Sequence, residues 1–331
     1  MENSPEAALY ARTSALFWVN ALLHIFVCIL TLFFSVKSFK LLCRETVFHE
    51  YTRQLLLFSV IYADFHAISY GFLQVWSLYR SVAFANDPSR IMFTGRECFV
   101  LTWIVGAAKM SMSFIQVALT VERLSSIFST LKAFNHRGFV LNVLAALTSL
   151  LVTLYSYSEG PTDYKLPSCI IQKDIPLDRV IYALGMYFVL SLICLVANLA
   201  IIAFLYNSKK RSFNLKVRFT IQKVKYSSLA VSMISLAQFV AMTIYVASNY
   251  FFIFYMRHEM SSQYFHNILL VIYTIPYAGL CLPVSVIICE KWISDQRKIK
   301  IVEMTKINRG ESLDNRMSQL KNSWDTMAPK L

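Results

Sequence analysis

Seven long apolar runs decide what this chain can become. They fall at residues 15–36, 55–78, 98–124, 139–157, 180–206, 229–255 and 267–289. A helix needs about 20 apolar residues to cross a hydrocarbon core about 30 Å thick, and each run is near or above that length. The fourth is the shortest and the third the most polar. In lipid every backbone N–H and C=O has to be satisfied within the protein, so the runs predict an all-α membrane protein, a bundle of seven transmembrane helices. A β-barrel would show short segments of alternating hydrophobicity. Composition agrees with lipid as the solvent: 56% of the 331 residues are hydrophobic and 15% charged, against about 25% charged in soluble domains. Pro161, Pro167 and Pro176 cluster between the fourth and fifth runs, which reads as a loop. The residues before the first run include Glu2, Glu6 and Arg12. That stretch lacks the basic n-region of a cleaved signal peptide, so the first run is expected to act as both span and insertion signal.

Net charge is +13. In a soluble chain that value would raise nucleic acid as a partner, but here it lies between apolar runs and reports orientation. The connections at 37–53, 123–137 and 209–225 hold four, three and seven Lys or Arg, and the segment after the seventh run holds nine, giving 23 on one side. The other side holds 8, and Lys109 lies within the third run. Basic residues stay on the cytoplasmic side, so the N-terminus is expected outside and the C-terminus in the cytoplasm. The expected organisation is an extracellular segment 1–14, a seven-helix domain 15–292, and a cytoplasmic tail 293–331. Within the tail, residues 290–304, with Trp292, Ile293, Ile299, Ile301 and Val302, read as an amphipathic eighth helix along the membrane. From Asn308 onward the tail reads as polar and disordered.

Of seven cysteines, Cys28, Cys194 and Cys281 lie in the runs, where a thiol is a small apolar filler. Cys98, opening the third run, and Cys169, in the loop after the fourth, share the expected oxidising face. Either they form a disulfide, tying that loop over the helix end, or they are two free thiols. Cys43 and Cys289 face the expected cytoplasm, and Cys289 precedes a basic amphipathic stretch, which makes it a palmitoylation candidate.

Ionisable groups at membrane depth face the protein interior. Asp64 and Lys109 both reach the middle third of the bilayer at about 1.5 Å per residue, on neighbouring antiparallel helices, which makes an Asp64–Lys109 pair the expected partnership. Either it belongs to a ligand cavity or switch, or it is a buried structural pair. His66 and His24 read as hydrogen-bonded core histidines. No His, Cys, Asp and Glu cluster has metal spacing and nothing resembles a hydrolase triad, so no metal, cofactor or catalytic residue is expected. Glu122-Arg123 closes the third run on the basic side, 25 positions after Cys98.

Seven spans, Cys98, Cys169 and Glu122-Arg123 together resemble rhodopsin-type G-protein-coupled receptors. More narrowly, residues 62–70 (YADFHAISY), Asp87-Pro88, residues 121–124 (VERL) and 212–219 (SFNLKVRF) resemble the nematode serpentine chemoreceptors of the Sra superfamily, of the alpha/beta class (Srab). The likeness runs from about residue 15 to 292. Two motifs of the rhodopsin type are missing. Residues 282–286 read LPVSV where that class has NPxxY, and the sixth run contains no Pro, so CWxP is absent. The usual activation switches are therefore not carried over.

The resemblance implies a plasma-membrane receptor in the cilium or dendrite of a sensory neuron. It would take a small-molecule or peptide ligand from outside, activate a heterotrimeric G protein, and have a second receptor copy as a candidate partner. A ligand would sit among the third, fifth, sixth and seventh helices, with Trp103, Lys109, Tyr182, Tyr187, Tyr250 and Tyr273 as candidate lining; such rings are also ordinary interfacial anchors. Arg123, held by Glu122 at rest, would be released toward the G protein. Lys209, Lys210, Arg211, Lys216, Arg218, Lys223 and Lys225 would meet an acidic G-protein surface or anionic lipid, or act only as a positive-inside anchor. The competing readings are a seven-helix transporter or channel and an intramembrane enzyme. The first would want several midplane acids or broken helices in paired positions, and the second paired catalytic groups facing one cavity.

Overall fold

The computed structural model describes residues 5–44, 48–128, 137–156, 165–166, 168–169, 177–207, 215–252, 268, 270–310 and 318. The expected loop prolines 161, 167 and 176, the basic residues Lys209, Lys210 and Arg211, and nearly all of the tail from 311 lie outside the described residues.

The helices are inside-out relative to a soluble protein. On α2 (Ala15–Cys43) the buried face carries Asn20, His24, Thr31, Ser35 and Ser38, while Val19, Phe26, Ile29, Phe33 and Val36 are exposed. A soluble amphipathic helix turns its polar face outward. This arrangement suits hydrocarbon, where apolar side chains meet lipid and small polar residues let helices approach closely. Thr31 bonds its hydroxyl to the Val27 carbonyl of its own helix, 2.8 Å away, which satisfies the group locally. The helix opens on Ser14, whose side chain accepts from the Phe17 amide, an N-cap.

The other long helices are α3 (Glu50–Ala83), α5 (Gly95–Phe128), α6 (Arg137–Ser156), α7 (Leu177–Asn207), α8 (Leu215–Phe251) and α9 (Ile275–Gly310). Seven spans are long and apolar enough to cross a membrane, and the fourth, Arg137–Ser156, is the shortest. α3 packs on α2 and α5, α7 on α8, and α9 on both α8 and α2, which closes the bundle. α5 threads the middle and also touches α6, α7 and α8.

Short elements cap one end. α1 (Pro5–Thr13) folds back on α4 (Pro88–Ile91) and α2. Asp87 starts α4 by accepting from the Ser89 and Arg90 amides, with Pro88 in the first turn, where its missing N–H costs nothing. The Ser89 hydroxyl and those two amides hold the Asp87 carboxyl below its usual range. β1 (Phe93–Thr94) pairs antiparallel with β2 (Lys165–Leu166), Phe93 opposite Leu166. α5 then opens with a capping box. The Thr94 amide donates to Glu97 and the Glu97 amide to the Thr94 hydroxyl, which satisfies two orphan donors reciprocally.

Two helix boundaries differ from expectation. The seventh run is not one helix: regular structure breaks at Tyr273–Thr274 and α9 restarts at Ile275. Pro276 lies in its first turn, and the Thr274 carbonyl accepts from the Tyr277 and Ala278 amides. Nor is there a break at residue 290. α9 continues to Gly310, so the expected eighth helix is the extension of the seventh. Between Glu290 and Gly310 the sequence has no proline, and glycine comes only at that last position, so nothing local terminates it.

At Gly138, where α6 begins against α3, there is no room for a side chain. A Cβ there would stand 3.0 Å from the Tyr51 carbonyl oxygen and 3.2 Å from Tyr51 Cα. Gly138→Ala is therefore expected to destabilise by about 1–3 kcal/mol, the cost of overpacking, read as a lower melting temperature of the detergent-solubilised chain.

Candidate functional site

Three buried clusters of polar groups stack along α5. At its start, Cys98 is joined to Cys169 with Cα atoms 5.1 Å apart, and both are fully buried. The Thr102 hydroxyl, one turn on, donates to the Cys169 carbonyl at 2.9 Å, so covalent and hydrogen bonds hold the same strand of loop. Beside them Phe93 lies between two guanidinium groups, Arg12 at 4.3 Å and Arg80 at 4.6 Å from the ring centre. Arg12 is 2% exposed and donates to the Ile91 carbonyl at 3.0 Å and to Ser77 Oγ at 2.9 Å. Burial, and behind it the charge of Arg80, lower the Arg12 guanidinium to about 9, so it stays charged at neutral pH. Arg80 is fixed by Glu97 at 2.8 Å and by the Arg90 carbonyl.

In the middle, α3 presents His66, Tyr70 and Gln74 inward at four-residue spacing, all buried, on one face of the helix. His24 Nδ1 of α2 is 2.6 Å from the Tyr70 hydroxyl, and His66 Nε2 is 3.0 Å from the Tyr273 hydroxyl at the helix break. Tyr70 and Tyr273 lie with ring centres 4.8 Å apart, and Tyr245 of α8 meets Tyr273 edge-on. His24 Nε2 and His66 Nδ1 have no hydrogen-bond partner among the described residues. Lys109 of α5 points across to α7 and α8, its ammonium 5.1 Å from the Tyr187 ring centre and 5.7 Å from that of Tyr245.

At the far end of α5, Glu122 and Arg123 are each 1% exposed. The carboxylate accepts from Thr52 at 2.9 Å and Ser126 at 2.8 Å, and Arg123 Nε lies 3.1 Å from it. That approach is at ion-pair distance without hydrogen-bond alignment, and Arg123 Nη2 also lacks a partner among the described residues. A buried cation so incompletely satisfied is costly.

Of the candidate lining residues, Lys109 and Tyr273 lie against Tyr245, and Tyr187 lies beside Lys109. Trp103 is half-buried on α5. Tyr182 and Tyr250 are 65% and 50% exposed, turned to the surface where interfacial rings belong. The expected Asp64–Lys109 pair does not form. Asp64 turns toward Ser35 of α2, its Oδ1 has no hydrogen-bond partner among the described residues, and Lys109 lies instead on the His66 side, within electrostatic reach of that ring. His66 is two residues beyond Asp64, about 200° further around the helix. Cys289 is corrected too. It is 1% exposed and its thiol faces the Ala230 carbonyl between α9 and α8, so it is not placed to carry an acyl chain. Lys216, Arg218, Lys223 and Lys225 fall within α8.

Arg12, Thr52, Tyr70 and Tyr245 were not among the expected site residues. The polar ridge of His66, Tyr70 and Gln74 at four-residue spacing was a readable signal. Arg12 gave none, because a basic residue before a first span is ordinary flank chemistry.

The comparisons with known proteins point one way. The model of the family described as serpentine type 7TM GPCR chemoreceptor Sra matches residues 2–324. Serpentine receptor class alpha-32 of Caenorhabditis elegans is 29% identical over 319 residues, covering 95% of this chain and 93% of that protein. Serpentine receptor class alpha-33 of the same organism is 28% identical over 317 residues, 93% of this chain and 95% of that one. Serpentine receptor class alpha-10 of Caenorhabditis briggsae is 26% identical over 331 residues, 96% of each. These relatives carry the class-alpha name within the superfamily that the motifs resemble.

Arg12→Ala would leave the Ile91 carbonyl and Ser77 Oγ buried without their donor. The expected loss is about 1–3 kcal/mol, seen as a lower melting temperature. Arg12→Lys should recover only part, because an ammonium cannot lie flat on Phe93 while serving both acceptors.

Proposed function

The chain belongs to the serpentine Sra family of seven-transmembrane GPCR chemoreceptors, and from that premise we propose that it binds an external chemical ligand and activates a heterotrimeric G protein. The observation that carries this reading is the buried Glu122–Arg123 pair, on the same helix whose other end is tied through Cys98–Cys169. One helix thus joins the capped end to a cation held in reserve.

The orientation proposed is the one favoured by the basic residues, 23 against 8, with the N-terminus outside. The capped end then faces the exterior, and Arg123 with the 209–225 basic run faces the cytoplasm. The membrane proposed is the plasma membrane of a sensory neuron, at its cilium or dendrite. Ligand would enter among α5, α7, α8 and α9 and shift a two-state equilibrium by its differential affinity for the two states.

Arg123 supplies the switch. At rest its charge is buried against Glu122, which Thr52 of α3 and Ser126 of α5 hold in place. Separation of α7 and α8 from α5 at that end would release the guanidinium toward acceptors on the G protein and remove its burial penalty. Lys209, Lys210, Arg211, Lys216 and Arg218 would meet an acidic face of the same partner or anionic headgroups.

Two measurements test this. An N-terminal epitope tag should stain on intact cells, and a C-terminal tag only after permeabilisation; the reverse pattern sinks the receptor reading. Arg123→Ala should abolish ligand-driven nucleotide exchange while leaving surface expression near wild type. Thr52→Val removes one bond to Glu122, worth about 1.5–3 kcal/mol for a charged partner, and should raise basal exchange by about tenfold or more. A ligand response unchanged in Arg123→Ala would exclude the proposed coupling role.

A further inference from the structure

We propose that the seam between α5, α7 and α8 binds a neutral group that both donates and accepts hydrogen bonds, held by the side chains of Gln116, Asn198 and Gln238. That group is water, or the hydroxyl or amide of a small ligand. The site stands apart from the receptor reading; only its consequence for opening the seam rests on that reading.

Helix register brings the three residues together. Lys109 lies beside Tyr187, and Thr120 beside Asn198, at the same offset in sequence, so α5 and α7 run side by side in step. Gln116 stands two turns from Lys109 and one turn from Thr120, on the face that carries both. Lys109 also lies beside Tyr245, and Asn198 beside Ser235, which sets α8 antiparallel to the other two. Gln238 stands two turns from Tyr245 and about one from Ser235, at the height of Gln116. Asn198 closes the level below. Its Nδ2 donates to Thr120 Oγ1 at 3.0 Å, to the Cys194 carbonyl at 2.8 Å and to Ser235 Oγ at 3.4 Å.

All three amides are more than nine-tenths buried. Four of their polar atoms nonetheless have no hydrogen-bond partner among the described residues: Gln116 Nε2 and Oε1, Gln238 Nε2 and Asn198 Oδ1. Native interiors pair nearly all such groups, with protein or with bound water. Two of the four atoms donate and two accept. A carboxylate would leave the acceptors unserved and an ammonium the donors, whereas a hydroxyl, an amide or water serves both kinds. Room exists at this height. Buried Gly279 of α9 lies on the stripe of Ile275, Leu282 and Val286, near the height of Gln238 by the contacts Tyr245–Tyr273 and Ala230–Cys289. A Cβ on it would meet no heavy atom within 4 Å among the described residues. Under the proposed function this is the seam that parts to release Arg123. A seam bridged through a bound polar group parts without orphaning its amides, because the bound group goes on serving them.

The test uses the full chain in nanodiscs, with Gln116→Met, Gln238→Met and the double variant. Melting temperature reads the site without reference to signalling. Each single variant should lower it by about 2 °C or more, because the bridging group and the amide opposite lose a partner. The double variant should lose clearly less than the two singles combined, since both act on one bridge. A higher melting temperature in either single variant means unpaired amides in a dry seam and overturns the proposal, as do additive losses. A density map of the wild type fine enough to show water decides the matter if a variant fails to fold. Density bridging the three side chains supports the site, and its absence overturns it. A panel of small primary amides and alcohols assigns the source. Stabilisation of the wild type that Gln116→Met abolishes makes the bound group a ligand's; coupled losses with no compound stabilising make it water. The two readings fail separately. Coupled losses in a chain that drives no nucleotide exchange would refute the receptor reading alone, and Arg123-dependent exchange in a chain with a dry seam would refute the site alone.

Discussion

Inside lipid a polar side chain can bond only to protein, and the architecture is arranged around that restriction. The α2 face that is buried carries Asn20, His24 and three hydroxyl residues, while the exposed face is Val, Leu, Ile and Phe. Elsewhere the same demand produces bonds between helices. Asn198 of α7 reaches Thr120 of α5 at 3.0 Å, Tyr62 of α3 reaches Asn142 of α6 at 2.9 Å, and Ser111 of α5 meets Ser149 of α6 at 2.7 Å. Apolar contact alone discriminates poorly between helix faces when the solvent is itself hydrocarbon. These polar pairs fix which face meets which.

The helix that most of them share is α5, and its three functional levels follow from being central. Its start is immobilised by the disulfide, the Thr94–Glu97 capping box and the Arg80 ion pair. Its middle carries Lys109 among aromatic rings. Its end carries Glu122 and Arg123, with Thr52 reaching them from α3. Because one end is anchored covalently, relative motion between α5 and its neighbours has to be expressed at the other. Under the proposed function, a rigid helix 34 residues long would link a ligand level and a coupling level without needing a chain of intermediate contacts.

Height along the bundle was readable from sequence and azimuth was not. Apolar length places each residue at a depth, because a helix rises a fixed amount per residue, and so the spans fall where the runs do. Depth puts Asp64 and Lys109 at a common expected level, yet says nothing of rotation, and the structure turns them to different neighbours. The same blindness applies to Cys289, whose thiol could be set beside a basic stretch but not turned toward Ala230 from sequence alone. Tyr182 and Tyr250 turn outward instead of into the bundle. Arg12 was unreadable for another reason: its role depends on α1 folding back, and nothing local in PEAALYART announces that return. The break at Tyr273 had a signal in Pro276, muted because spanning helices tolerate proline.

That break also changes how the missing motifs are understood. Among the spans, α8 has no Pro to kink it and α9 lacks the Asn and Tyr of the rhodopsin-type sequence. Regular hydrogen bonding is interrupted instead at Tyr273–Thr274, at the level of Lys109's aromatic neighbours rather than near Arg123. A continuous helix transmits rotation as a rigid rod, and an interruption is where it can be absorbed or started. Tyr273 is held there on one side by His66 and touched on the other by Tyr245. Under the proposed function, a ligand that displaces Tyr245 acts on the ring at that break, and beyond it the helix runs from Ile275 to Gly310 with Pro283 inside it.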